Sequence, residues 1–166
     1  AMWCPVGVKI ETMNLLDVVK PEAVKVIADV SSKKRLMQNL ADQADQAYGI
    51  DPSAALQALL DRESLGPTGV GQGVALPHAR IHQLDSVSGV FMLLEKPIDF
   101  GAVDRQPIDV VFCLFAPEAA GVEHLKALAL VSRTLRDATI CAKLRANPDA
   151  AKIHAILTEV ERERAA

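Results

Sequence analysis

Ile108-Asp109-Val110-Val111-Phe112-Cys113-Leu114-Phe115 is an apolar run broken only by Asp109, and it decides the class of fold. Apolar side chains on both sides of the pleat belong to a strand covered on both faces. Val87 to Leu94 is a second run of this kind, and Pro97 and Pro107 punctuate the connection between the two. Further out, Val24 to Val30 reads as a short strand bounded by Pro21 and Ser31-Ser32. Ser31 or Ser32 can then cap a helix from about Lys33 to Tyr48, whose apolar positions Leu36, Met37, Leu40, Ala44 and Ala47 keep helical spacing. Gly49 is the expected stop. Asp51-Pro52 starts a second helix that ends near Ser64. Downstream, helices are expected from about Val122 to Arg136 and from about Ile140 to Arg145. Asn147-Pro148 is read as the cap of a last helix, whose charged end Glu161-Arg162-Glu163-Arg164 is expected to be solvated. Buried strands interspersed with helices predict an α/β layered fold, a single domain with helices over both faces of its sheet.

The bulk properties narrow the partners. The chain has 166 residues, 50% of them hydrophobic but only 4% aromatic, and a net charge of -3. That length supports one substantial core, built of Leu, Val, Ile and Ala. No basic stripe interleaved with aromatics argues for nucleic acid. The apolar runs are too short to cross a bilayer, and no basic segment followed by a long apolar one marks a signal peptide. Cys4, Cys113 and Cys141 are odd in number and far apart, which indicates neither a disulfide framework nor a zinc knuckle. Free thiols fit the cytoplasm, and Cys113 reads as a small core residue. Residues 1–12 look unlike the rest and are taken as an extension or expression remnant, with the domain proper at 13–166.

The chemistry gathers around Gly71-Gln72-Gly73-Val74-Ala75-Leu76-Pro77-His78-Ala79-Arg80. Proline fixes its own φ and extends the residue before it, so His78 is presented on a stiff stem. An unprotonated imidazole nitrogen can accept a phosphoryl group and pass it on near neutral pH. A metal-ligand or buried structural histidine could sit the same way. His124, Leu128, Val131 and Leu135 fall at spacings of four, three and four, on one helix face. His124 then lies in the first helical turn, where the dipole disfavours an imidazolium unless an anion is near. A partly buried histidine bonded to a carbonyl fits equally well. Arg62 closes the second helix just before the glycine loop, where its planar fork could meet phosphate oxygens or merely favour the helix dipole. Thr68, Gly69, Gly71 and Gly73 could donate to a phosphoryl group, although glycine richness marks any irregular turn. No GxxxxGKS/T, HExxH or GxSxG pattern occurs.

The run Arg62-Glu63-Ser64-Leu65-Gly66-Pro67-Thr68-Gly69-Val70-Gly71-Gln72-Gly73-Val74-Ala75-Leu76-Pro77-His78 resembles the phosphorylation-site signature of the mannitol/fructose-type enzyme IIA domains of the phosphoenolpyruvate-dependent phosphotransferase system. The resemblance continues through Pro97-Ile98-Asp99-Phe100, Gln106-Pro107-Ile108-Asp109 and His124-Leu125-Lys126-Ala127-Leu128. It implies a mixed β-sheet with helices on both sides and no metal or organic cofactor. It also implies that His78 is the phosphorylated histidine, flanked by Arg62 and His124, and that a small histidine-containing phosphocarrier protein is the donor. Arg62 to Gly66 and Ile140 to Arg145 resemble the nitrogen-related regulatory members more than sugar-transport subunits. Regulated proteins, or a IIB protein in the transport alternative, would be the downstream partners. Ala79-Arg80, where many relatives carry glycine then lysine, and Pro67, where a small polar residue is common, depart mildly from the pattern.

On this reading His78 attacks, Arg62 stabilises the transferring charge and His124 bonds a phosphoryl oxygen or orients His78. Catalysis is mostly positioning and electrostatics. Val70, Val74 and Leu76 are expected to form an apolar docking rim. Two alternatives stay in view. One is a binding module that has lost transfer, and the other is a metal-dependent hydrolase using His78, His82 and His124.

Overall fold

The computed structural model describes residues 13–82 and 84–165, and of residues 160–165 only the backbone. Residues 1–12, with Cys4, lie outside the described part, as do the side chains of the charged run Glu161–Arg164.

The elements in chain order are α1 (Leu15–Val18), β1 (Val19–Ile27), α2 (Lys33–Tyr48), α3 (Pro52–Glu63), β2 (Gly69–Gly71), β3 (Val74–Ala75), β4 (His78–Ile81), β5 (Ser88–Ile98), β6 (Ile108–Pro117), α4 (Gly121–Leu135), α5 (Ala138–Ala146) and α6 (Ala150–Ala165). They form one mixed sheet flanked by helices. The sheet order is β1-β5-β6-β3-β2, with β4 paired to β6 as well. β5 and β6 are antiparallel, while β1 runs parallel to β5 and both β3 and β4 run parallel to β6. Leu114 pairs with Gly89 of β5 and with His78 of β4, so β3 and β4 are successive pieces of chain along the second edge of β6. Beyond β4 no further strand pairs among the described residues, so His78 to Ile81 lie on the sheet border.

Burial explains the order. From Val110 to Ala116 every residue of β6 is buried, Cys113 included. Both faces are therefore covered, as the apolar run requires. α2 packs on β1 and β5, α3 on β4, α4 on β6 and α6 on β1. Ser32 Oγ accepts the Arg35 N–H at 3.1 Å, and Gly49 ends α2 with φ 70°, a conformation glycine adopts without steric cost. Asp51 caps α3 through Ala54 N–H at 3.0 Å. No helix among the described residues is long and apolar enough to cross a membrane.

Several boundaries differ from the sequence reading, each for a physical reason. β1 begins at Val19 and runs through Pro21. Its pairing with β5 shifts between Val19 and Val24, which leaves room on an edge strand for a residue without an N–H. β5, an interior strand, runs on through Pro97, which falls where its pairing with β6 shifts between Leu93 and Ile98, beyond the last pair with β1 at Leu94. Asp149, and not Asn147, serves the start of α6, since its carboxylate accepts the Lys152 N–H at 3.0 Å. Val74 and Leu76, expected at a docking rim, are buried in the core, and only Val70 of that trio is exposed.

Candidate functional site

Placement of His78 starts at the end of α3. Glu63 accepts both the backbone N–H of Thr68 (3.0 Å) and its hydroxyl (2.7 Å). Lys33 balances that carboxylate at 2.7 Å and lies 4.2 Å over the Phe100 ring. Thr68 in turn accepts the Leu76 N–H on its carbonyl at 2.9 Å. The Leu76 carbonyl lies 2.9 Å from His78 Nδ1. A carbonyl can only accept, so Nδ1 carries the proton and donates it. In the neutral ring Nε2 then keeps the free lone pair. Pro77 sits between, and its own carbonyl accepts the Leu114 N–H at 2.9 Å, pinning the stem to β6.

His124 stands beside this ring. The centroids are 5.6 Å apart with planes at 66°, an edge-to-face arrangement. His124 is only 6% exposed, and its Nε2 is buried without a hydrogen-bond partner. Burial first, then the neighbouring His78 ring and the Arg80 guanidinium, hold its imidazole below the usual histidine value. An uncharged ring is thus kept beside His78 with an unsatisfied nitrogen, a state that costs free energy unless an outside group fills it. The helix that carries it, α4, is preceded by Ala120 at its N-cap, which offers no side-chain cap, so the N–H groups of its first turn face outward with the positive end of the dipole. The buried stripe of α4 is His124, Ala127, Leu130, Val131, Thr134 and Leu135, with Leu128 only half-buried. Val122 and Leu125, on either side of His124 in the chain, are 65% and 66% exposed.

Arg62 occupies the last turn of α3, and its Nη1 donates to the Gly66 carbonyl at 3.1 Å. α3 lies against β4, but no hydrogen bond joins Arg62 to either ring among the described residues. The glycines fall elsewhere than expected. β2 and β3 form a hairpin whose turn holds Gly71 and Gly73, and the Gly73 carbonyl accepts from Asp109 and Val110. Val110 and Leu114 are four residues apart on β6, so that turn lies about 13 Å along the strand from His78. Gly71 and Gly73 therefore shape a hairpin and do not line the imidazole. Thr68 has spent its hydroxyl proton on Glu63, and Gly69 packs against Ala102. His82, the third member of the metal alternative, donates from Nδ1 to Glu118 at 3.2 Å. No group of three His, Cys, Asp or Glu side chains placed to hold a metal ion occurs among the described residues.

One residue that the sequence reading noted only as a departure belongs to this neighbourhood. Arg80 lies two places after His78 on β4, so both project from the same face, while Ala79 and Ile81 turn to the core. Its Nη1 donates to the Glu118 carbonyl at 2.9 Å, in the loop that leads into α4. The available signal was the alternation of a strand beginning at His78, which a four-residue element scarcely displays.

Known proteins share this architecture and sequence. Residues 17–160 match the family described as "Phosphoenolpyruvate-dependent sugar phosphotransferase system, EIIA 2". A nitrogen regulatory protein of Bradyrhizobium diazoefficiens is 48% identical over 145 residues, covering 87% of this chain and 95% of the relative. A nitrogen regulatory protein of Escherichia coli K12 is 37% identical over 152 residues, covering 90% and 93%. Among solved structures, that of the nitrogen regulatory protein IIA-Ntr from Neisseria meningitidis superposes with a TM-score of 0.81 at 30% identity, covering 87% of this chain and 99% of the other.

Proposed function

The chain belongs to the EIIA 2 family of the phosphoenolpyruvate-dependent phosphotransferase system, most like its nitrogen-regulatory members, and on that premise we propose that His78 is its phosphoryl acceptor. The observation that carries this reading is the bond from His78 Nδ1 to the Leu76 carbonyl, which leaves Nε2 as the nucleophile. The Nε2 lone pair forms the new N–P bond as the donor imidazole's N–P bond breaks. The donor ring, protonated on its other nitrogen, departs with the electron pair as a neutral imidazole. Positive charge grows on the His78 ring, and the Leu76 carbonyl stabilises the Nδ1–H that bears it. No proton has to leave. His124 Nε2, buried and unpartnered, supplies a polar atom beside the accepting ring. Arg62, at the end of α3, adds a guanidinium from the neighbouring element.

The donor in this reading is a small histidine-containing phosphocarrier protein, and the exposed Val122 and Leu125 give it an apolar landing next to His124. Such an interface is small, because relay partners separate after each transfer. The phosphoryl group then adds negative charge and acceptor oxygens to one surface, which a regulated partner in the cytoplasm can distinguish from the bare one. The test is reconstitution with phosphoenolpyruvate, enzyme I and the phosphocarrier. Acid-labile, base-stable phosphate is expected on the wild-type chain and none on His78→Ala. His124→Ala and Arg62→Ala should fold and accept more slowly. Equal labelling of His78→Ala and wild type would end the assignment.

A further inference from the structure

Resting on the phosphoacceptor reading of His78, we propose that Arg80 is a second cation, beside Arg62, that takes phosphoryl oxygens, exchanging the Glu118 carbonyl for them when His78 becomes phosphorylated. Three observations place it there. Arg80 projects from the same face of β4 as His78, two residues on, a spacing its long side chain spans easily. It is exposed, and no carboxylate lies within ion-pairing distance of it among the described residues. The Glu118 carboxylate goes to His82 instead, and Arg80 makes do with the Glu118 carbonyl. A guanidinium held by one neutral acceptor keeps its charge uncompensated and most of its five donors free, which suits a dianionic phosphoryl group. Its field also reaches His124, whose imidazole it helps to keep neutral, so all three side chains share one electrostatic neighbourhood.

Arg62 differs on each point. It is half-buried, bonded to its own loop at Gly66, and not a cause of the His124 shift. The exchange at Arg80 has a consequence beyond rate. In the bare protein Arg80 ties the border strand to the loop before α4. Once the guanidinium turns to the phosphoryl group, that tie is released and the first turn of α4, with Val122 and Leu125, is freed to shift. A regulated partner then reads a changed surface as well as a changed charge.

The experiment compares wild type, Arg80→Gln, Arg80→Lys and His78→Ala with two donors. One donor is the phosphorylated phosphocarrier, and the other is potassium phosphoramidate, which needs no docking. Circular dichroism confirms folding, which an exposed position should not disturb. Arg80→Gln is expected to lose about tenfold or more in labelling rate with both donors, and Arg80→Lys to recover part of it. Backbone amide resonances of Glu118 to Ala120 should move on phosphorylation of wild type and stay still in Arg80→Gln. Wild-type rates in Arg80→Gln with phosphoramidate would overturn the proposal. So would a loss confined to the protein donor, which would make Arg80 a docking residue. Labelling of His78→Ala would instead sink the acceptor reading itself.

Discussion

β6 has two ends, and they are built in opposite ways. At its start, Arg145 from α5 grips Asp109 with Nε at 2.9 and 3.1 Å and Nη2 at 2.9 Å, and the same Nη2 reaches the Gln72 carbonyl at 2.9 Å. Asp104 adds the Gln72 and Gln106 N–H groups, bonds that hold its carboxyl below the usual carboxylate range. At the other end lie an imidazole with one nitrogen unspent, a second imidazole with a buried orphan nitrogen, and an arginine on a single carbonyl. The glycine-rich hairpin was open to a phosphoryl-binding reading, yet the Gln72 N–H, the Gln72 carbonyl and the Gly73 carbonyl are already bonded within the scaffold. Unsatisfied capacity, rather than flexibility or glycine content, separates the end proposed to react from the scaffold.

The sharpest way to break this contrast is His78→Ala. It should abolish phosphate incorporation while the melting temperature holds within about 2 °C, because a half-buried side chain with one hydrogen bond is removed. Gly73→Ala should do the reverse. Its φ of 81° disfavours a side chain, and a Cβ there would lie 2.7 Å from Arg145 Nη2 and 3.0 Å from Asp109 Oδ1. A loss of about 2 kcal/mol in urea unfolding is expected, with labelling of the folded fraction unchanged. Arg145→Met removes the clamp without that strain. It should cost about 1–2 kcal/mol, since the pair is partly exposed.

The smallest effect concerns pH. His124 titrates lower in the folded chain than in the unfolded one, so the unfolded state binds its proton first as pH falls. The stability due to neutral His124 is complete above the unfolded value near 6.5 and is lost as pH drops from there towards the folded value. Urea midpoints between pH 7 and 5 should show this slope in wild type and a shallower one in His124→Leu. An unchanged slope would remove His124 from the titrating groups that matter.

The sequence disclosed these two ends unequally. α2 was legible to its last residue because Ser32 and Gly49 are local signals that no distant contact overrides. β5 and β6 were legible because burial on both faces leaves a continuous apolar trace. The pieces β2, β3 and β4 span three, two and four residues, too short for any periodicity, and exist because β6 offers them an edge. That one fact hid both the remoteness of Gly73 and the shared face of His78 and Arg80. His78 and His124 stood out as residue types in a recognisable run, whereas their edge-to-face approach depends on β4 and α4 meeting across β6.

The border position of β4 carries a last consequence. A histidine set along the rim of a sheet can be met sideways by an incoming macromolecule, much as a ship is met at a quay. On the proposed relay reading, turnover keeps time with collisions and departures, and thickening the solvent with a viscogen should slow exchange between proteins while leaving labelling by phosphoramidate far less affected.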